Sequence, residues 1–177
     1  MTSTTPEVAS SPDTESASNA NSTDQLAKAK EIIKHNVAWS AGAGMLPIPG
    51  LDFVAITGVQ LKMVNELCGA YNIPFKKALA RPIIVSLIGS LGATMLAPLV
   101  ATTSLKLIPG FGLLFSGTAL AATSAAITYG VGQLFMDHFQ NGGTLENFNL
   151  IAGRGVFKKK VKDVIHETAE KVETASA

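Results

Sequence analysis

The amino-acid sequence predicts an all-α fold, a helical bundle of two helix–turn–helix hairpins followed by an amphipathic C-terminal helix. Apolar residues recur every three or four positions in several segments, which is the period of a helix that buries one face. Two Ile-Pro-Gly turns separate these segments. The third observation is a stretch of 55 residues, Pro82–Met136, in which Lys106 is the one charged side chain. About 20 apolar residues suffice for a membrane-spanning helix, so the second hairpin is predicted to be inserted in a membrane.

Composition limits the classes of function. Of the 177 residues, 15% are charged, whereas a typical soluble domain has about 25%. The net charge of +1 creates no overall positive field, so nucleic acid is not expected as a partner. Cys68 is the single cysteine, which excludes an intrachain disulfide bond and a metal site built from several cysteines. No cofactor is predicted.

The first hairpin is predicted from the N-terminal part of the chain. Residues 1–23 form a polar, acidic tail that is predicted to be disordered. The first helix is expected to begin at Thr23 or Asp24, both good N-cap residues. A turn that contains two prolines ends this helix, and its residues are Pro47, Pro49 and Gly50. An amphipathic second helix is then expected from near Leu51 to Asn72.

The hydrophobic hairpin 82–136 is predicted to follow. Its first helix begins around Phe75–Arg81 and continues through the apolar window until Pro98 kinks it. Its second helix covers Phe111 to about Phe139. The turn between them consists of Pro109 and Gly110. The predicted organisation is a tail (1–23), a helical membrane-associated domain (24–153) and a basic amphipathic tail helix (154–177).

Small residues recur every four positions along the two apolar helices. Inside a membrane such stripes let helices approach closely, so they predict self-association into a homo-oligomer. The predicted helix-packing residues are Gly89, Ala93, Ala97 and Ala101 in the third helix, and Ala122, Ala126 and Gly130 in the fourth. A buried helix pair in a soluble bundle would use small residues in the same way. The lengths of the two charge-free windows around Lys106, 24 and 30 residues, favour the membrane.

Basic residues flank the hairpin on both sides. Because cytoplasmic loops carry an excess of Lys and Arg, both termini are expected in the cytoplasm, with Lys106 on the far side of the inner (cytoplasmic) membrane of a bacterium. The cluster after the hairpin consists of Arg154, Lys158, Lys159, Lys160 and Lys162. We expect it either to bind anionic lipid head groups or to form a solvated helix face that sets the topology.

Catalysis finds little support in the sequence. His35, His138 and His166 are scattered near predicted helix ends, and none has the spacing of a metal-ligand motif. Cys68 lies in an amphipathic helix, where packing is a more common role for a thiol than nucleophilic attack. The protein is therefore not expected to be an enzyme.

The run from Ala41 to Asp52, which contains the Pro-Ile-Pro-Gly turn, resembles an uncharacterised bacterial helical family. The likeness continues through Gln60-Leu61-Lys62-Met63 and covers roughly Ile33 to Gly143. Members of that family occur alone or attached to GTP-binding domains of the Era-like kind. The resemblance implies an all-helical, membrane-associated module with a GTPase partner in trans. This sequence lacks the GTP-binding domain of the fused members, and the resemblance carries over no catalytic residue.

Two functions follow as hypotheses. The first is a non-enzymatic structural or scaffolding component that self-associates in a bacterial membrane. The alternative is a soluble or reversibly inserting helical binding module that partners a GTPase or another protein.

Overall fold

The computed structural model describes residues 12–44, 52–92 and 112–175, which form five α-helices and no strand. The helices are α1 (Pro12–Gly44), α2 (Asp52–Ala70), α3 (Lys77–Gly89), α4 (Gly112–Gln140) and α5 (Leu150–Ala175). The helix α4 packs against α1, α2 and α5, while α1 also contacts α2, and α3 contacts both α2 and α5. The prediction of an all-α helical bundle is confirmed.

The start of α1 differs from the sequence-based expectation. The helix begins at Pro12 rather than at Thr23 or Asp24. Proline fits the first turn of a helix, because the N–H groups of that turn have no helical partner in any case. The domain boundary at residue 23 stays a prediction.

The helix α3 is shorter than the sequence suggests. It begins at Lys77, within the expected range, but it ends at Gly89 instead of continuing to a kink at Pro98. The Oγ atom of Ser90 donates to the carbonyl oxygen of Leu87 at 2.6 Å, and Gly92 has a φ of +68°. A left-handed residue ends a regular helix, so the single helix that the charge-free window predicts is interrupted here. Both Ile-Pro-Gly turns lie outside the described residues.

The connections after α2 and α4 share one type of helix ending. Asn72 has a φ of +56°, and the following N–H donates to the carbonyl oxygen of Cys68 at 2.8 Å. Gly142 has a φ of +76°, and the following N–H donates to the carbonyl oxygen of His138 at 2.9 Å. This is the Schellman motif, in which a left-handed residue allows the chain to satisfy the last helical carbonyls. Both connections are therefore tight and hydrogen-bonded.

These two connections lie at the same end of the bundle. Lys76, which precedes α3, forms an ion pair with Glu146 in the connection between α4 and α5. The ring of His138 packs edge-on against Phe148, with ring centroids 5.0 Å apart. A Cβ atom at Gly143 would lie too close to the His138 ring, so a larger residue here would displace that ring. We call this part of the molecule the closed end.

The hydrophobic core forms around the second half of α4. Its largest fully buried apolar side chains are Phe135, Phe157, Ile33, Met63, Leu67, Ile84 and Leu87, which come from all five helices. Burial of each such side chain stabilises the fold by about 1.5–3 kcal/mol. Gly132 of α4 lies against Ile33 of α1 and lets these two helices approach closely. The described part of the chain therefore has a single continuous core.

Candidate functional site

Six polar side chains are buried among the described residues, and α1, α2 and α4 each supply two of them. They are Asn36 and Ser40, Thr57 and Gln60, and Ser124 and Thr128. The two residues of each pair are three or four positions apart, so they lie on one face of their helix. We call these six residues the polar seam. Burying a polar group costs free energy unless the group is hydrogen-bonded. Because six such groups are kept in the interior of the bundle, we treat the seam as the candidate functional site.

One half of the polar seam joins α1 to α2. The Nδ2 atom of Asn36, which is 1% exposed, donates to Glu66 Oε2 at 2.7 Å and to the carbonyl oxygen of Ile32 at 2.9 Å. Glu66 also accepts a hydrogen bond from Lys62 Nζ at 2.6 Å. Burial opposes the charge on Glu66, but the bonds from Lys62 and Asn36 outweigh it and lower the pKa of the carboxyl group. The carboxylate is therefore held ionised, as a structural acceptor.

The other half of the polar seam joins α1 to α4. The Oγ atom of Ser40 donates to the carbonyl oxygen of Ser124 at 3.1 Å. The Oγ1 atom of Thr128 in turn donates to Ser40 Oγ at 2.8 Å. This chain of hydroxyl groups fixes the antiparallel register of α1 and α4, since a slip by one residue would break both bonds.

Gln60 is the unpaired member of the polar seam. Its side chain is 0% exposed, and neither its amide oxygen nor its amide nitrogen has a hydrogen-bond partner. Leaving such a group unpaired costs about 1–3 kcal/mol. In the antiparallel α1–α2 pair, Gln60 and Ser40 lie on the same side of the Asn36–Glu66 bond, about 9 and 6 Å from it along the helices at 1.5 Å per residue. The free amide is thus at the level of the hydroxyl chain.

The chemistry of this region favours binding over catalysis. The polar seam offers amide and hydroxyl groups, and its neighbouring carboxylate is committed to Lys62 and Asn36. Burial raises the pKa of the Cys68 thiol to about 11, which keeps this group in its unreactive neutral form. Across residues 12–44, 52–92 and 112–175, no group of three His, Cys, Asp or Glu side chains could hold a metal ion.

The three histidines lie in different places, as the sequence suggested. His35 Nε2 accepts a hydrogen bond from the exposed Trp39 at 3.0 Å on the outside of α1. His138 Nε2 contacts the carbonyl oxygen of Thr144 at 2.9 Å at the closed end. His166 lies 3.4 Å from Glu170 on the surface of α5. Each of these contacts is local, and none brings a histidine to the polar seam.

The predicted helix-packing residues divide into three groups. On α4, Ala126 is buried, and a Cβ atom at Gly130 would lie 2.7 Å from Val161 Cγ2, so these positions pack helices within the chain. Ala122 is half-buried, whereas Gly89 on α3 is exposed with open space around it. The residues outside the described ranges are Ala93, Ala97 and Ala101, with the turn residues Pro47, Pro49, Gly50, Pro109 and Gly110. A role of these stripes in self-association stays a prediction.

The predicted lipid-binding cluster lies on α5. Lys160 is partly buried and forms an ion pair of 2.9 Å with Asp137 of α4. The guanidinium of Arg154 donates to the Ser86 hydroxyl of α3. The remaining members, Lys158, Lys159 and Lys162, are exposed. The cluster therefore combines residues that hold helices together with residues that face outward.

The polar seam was missed by the sequence analysis, which weighed the small residues of both apolar helices as packing positions. A signal was available, because Asn36 and Ser40, and likewise Ser124 and Thr128, stand at helical spacing within apolar faces. Hydroxyl and amide side chains at such positions join helices by hydrogen bonds in the same way as small residues join them by close approach.

The fold is that of an all-helical bundle, and its interior contains both an apolar core and the hydrogen-bonded polar seam. Within the part of the chain that the structure describes, none of the helices combines the length and the apolar character needed for crossing a bilayer. The chain belongs to the family described as a domain of unknown function (DUF697), which matches residues 13–173. This confirms the resemblance to an uncharacterised helical family.

A named relative is similar over most of the chain. The "Magnetosome membrane protein 22" of Magnetospirillum gryphiswaldense is 33% identical over 132 residues. The similar region covers 75% of this chain and 68% of that protein. No solved structure matches the chain.

Proposed function

We propose that this protein is a non-enzymatic structural component of a bacterial membrane that self-associates through the small-residue stripe of Gly89, Ala93, Ala97 and Ala101. The observation that carries the proposal is the similarity, over 132 residues, to a protein named as a magnetosome membrane protein. The charge-poor stretch Pro82–Met136 supplies the apolar surface that such a location requires. The buried face of α3 and the second half of α4 contribute to the bundle core, so we assign the lipid contact to the apolar residues between Leu91 and Ala121.

A structural role agrees with the pKa shifts and hydrogen bonds of the ionisable groups in the interior, Glu66 and Cys68. The carboxylate of Glu66 is fixed between Lys62 and Asn36. Cys68 has a raised pKa and is buried, which removes the one thiol of the chain from nucleophilic chemistry at neutral pH. A general base or nucleophile needs a pKa near the working pH, and these groups are shifted away from it.

The proposed topology places both termini in the cytoplasm and Lys106 on the far side of the inner membrane. Basic residues on both flanks of the apolar stretch support this orientation. Membrane fractions should retain the protein during alkaline extraction, and a Lys106→Cys variant should be labelled from the outer face only. Cys68 is buried, so the chain without the Lys106→Cys substitution should not be labelled and serves as the control. Release of the protein by alkali would contradict the membrane anchoring.

Self-association is tested by enlarging one small-residue stripe. We expect the double variant Ala93→Leu/Ala97→Leu to weaken oligomer formation, because bulky side chains keep the helices apart. The matched control is Ala27→Leu/Ala38→Leu, two exposed positions of α1. Chemical crosslinking in membranes compares the two variants. An unchanged oligomer size in the Ala93→Leu/Ala97→Leu variant would count against this interface.

A second function is favoured by the packing of α4. Ala126, Ile127, Val131 and Phe135 lie in the bundle core, so much of the apolar character of this helix is used inside the chain. This supports a soluble or reversibly inserting helical module that partners a GTPase or another protein. Such a protein would leave the membrane fraction at alkaline pH, and the search would then turn to copurifying GTPases.

A further inference from the structure

One side of α5 combines cations with exposed apolar side chains. Ile151, Arg154, Lys158, Lys162 and Ile165 are spaced by three or four residues and therefore share one side of the helix. At 1.5 Å per residue, this row is about 21 Å long. We call these five residues the basic stripe.

The basic stripe faces outward. Ile151 is 84% exposed and Ile165 is 36% exposed, and the three cations between them are also exposed. The side of α5 that packs into the bundle, through the buried residues Phe157 and Val161, lies next to the stripe around the helix. Apart from the contact of Arg154 with Ser86 of α3, the stripe is therefore an apolar and charged surface that the other described helices leave exposed.

The positive charge of the basic stripe is not neutralised by nearby acids. Lys158 and Lys162 form no ion pair with the described residues. Arg154 uses its guanidinium to hold the hydroxyl group of Ser86, which leaves its charge uncompensated. The adjacent helix α3 has no acidic residue, and its Val85 is 37% exposed. Positive potential and apolar surface thus occur together.

We propose that the basic stripe docks on the anionic head groups of the bilayer in which the proposed function places the chain, and the inference rests on that function. Lys and Arg side chains reach lipid phosphates while their alkyl stems lie along the apolar boundary. The isoleucines at both ends of the stripe insert among the head groups, as the apolar residues of interfacial helices do. A nucleic acid would satisfy the cations but would leave Ile151 exposed to water. The bilayer surface is the occupant that matches both properties.

The charge contribution sets the size of the expected effect. Each basic residue close to an anionic membrane surface strengthens binding about fivefold. The double variant Lys158→Glu/Lys162→Glu should therefore weaken docking at least about 25-fold. The matched control is Lys30→Glu/Lys34→Glu, which places the same charge change on exposed positions of α1. We expect that control to leave docking unchanged.

The experiment follows a spin label at the most exposed apolar residue of the stripe. The full chain carrying Ile151→Cys is labelled, with Cys68 protected by burial, and is reconstituted in vesicles of phosphatidylcholine with or without phosphatidylglycerol. Collision with a water-soluble nickel complex reports water exposure, and collision with oxygen reports lipid contact. We expect the label to be several-fold less accessible to nickel in the anionic vesicles, and the Lys158→Glu/Lys162→Glu variant to restore access. A label at Lys30→Cys should stay exposed in both lipids.

Three other results would overturn the proposal. Equal nickel access in both lipids, in a chain that alkaline extraction retains, would show a solvated helix face. Protection by added RNA without lipid would assign the stripe to nucleic acid. Protection by inorganic phosphate alone would show a site for the free anion. If the chain is not retained by membranes, the proposed function fails. Adding anionic vesicles to the soluble protein labelled at Ile151→Cys then tests separately whether the stripe binds lipid.

Discussion

Asn36 on α1 donates a hydrogen bond of 2.7 Å to the carboxylate of Glu66 on α2, thirty residues away along the chain. The same amide group also donates to the carbonyl oxygen of Ile32. Both hydrogens of the Asn36 amide therefore take part in hydrogen bonds. The bond to the charged Glu66 carboxylate fixes the register of α1 against α2. Hydrogen bonds to charged groups contribute more than neutral ones, which makes this pair a main determinant of the helix register.

The Asn36–Glu66 pair predicts a dependence of stability on pH. The pKa of Glu66 is lowered in the folded protein below its usual 4.5, so the folded state binds fewer protons than the unfolded state. The contribution is complete above about pH 4.5 and is lost as the pH falls through the folded-state pKa. We expect Glu66→Gln to lower the free energy of unfolding by about 1 kcal/mol at pH 7 and by less at pH 3.5. Urea titrations at the two pH values measure this, and an effect of Glu66→Gln that is equal at both would contradict the prediction.

The unpaired amide of Gln60 predicts a stabilising substitution. Methionine has nearly the shape of glutamine but no group that needs a partner, so Gln60→Met should raise the free energy of unfolding by about 1 kcal/mol or more. Thermal unfolding of the purified protein measures the change. Gln25→Met on the partly exposed side of α1 serves as control. A loss of stability in Gln60→Met would mean that the amide is paired in solution, by water or by a polar ligand.

The close contact between α1 and α4 predicts that Gly132 does not tolerate a larger residue. A Cβ atom there would lie 2.8 Å from Ile33 Cγ1, so Gly132→Ala should destabilise the fold by about 1–3 kcal/mol. Gly155 on α5 has nothing within 4 Å of the same position, and Gly155→Ala should stabilise the helix by up to about 1 kcal/mol. Chemical denaturation compares the two variants. Equal effects would show that helix propensity, and not packing, governs both sites.

The thiol of Cys68 is predicted to be unreactive in the folded protein. A rise of its pKa from 9.0 to about 11 lowers the thiolate fraction at pH 8 about 100-fold, and burial blocks access in addition. Labelling with a thiol reagent should therefore be at least 100-fold slower than for an exposed Lys30→Cys variant. Urea should remove the difference. Fast labelling of Cys68 without denaturant would show that α2 opens locally.

The sequence predicts the helices better than their ends. The periodicity of α2 and the Asn-Gly-Gly sequence after α4 determine these elements locally, and the structure confirms them. The end of α3 at Gly89 could not be predicted from charge, because an apolar window is equally compatible with a longer helix. It depends on the bond from Ser90 to Leu87 and on the backbone at Gly92.

The polar seam shows a different limit of sequence reasoning. Asn36 and Ser40 are visible as a pair at helical spacing, but their partners lie 30 and 84 residues away. Nothing local specifies that Asn36 meets Glu66 or that Ser40 meets the backbone of Ser124. These contacts are created only when α1, α2 and α4 pack together.

The closed end limits how far the helices can separate at one pole of the bundle. Its Schellman turns at Asn72 and Gly142 and the nearby ion pair of Lys76 with Glu146 join the helices at one pole of the bundle. At the opposite pole, α1 and α3 end and α2 and α4 begin. We therefore expect any motion that spreads the helices to have its hinge at the closed end. We expect the displacement to be smallest near His138 and largest where α3 ends and α4 begins.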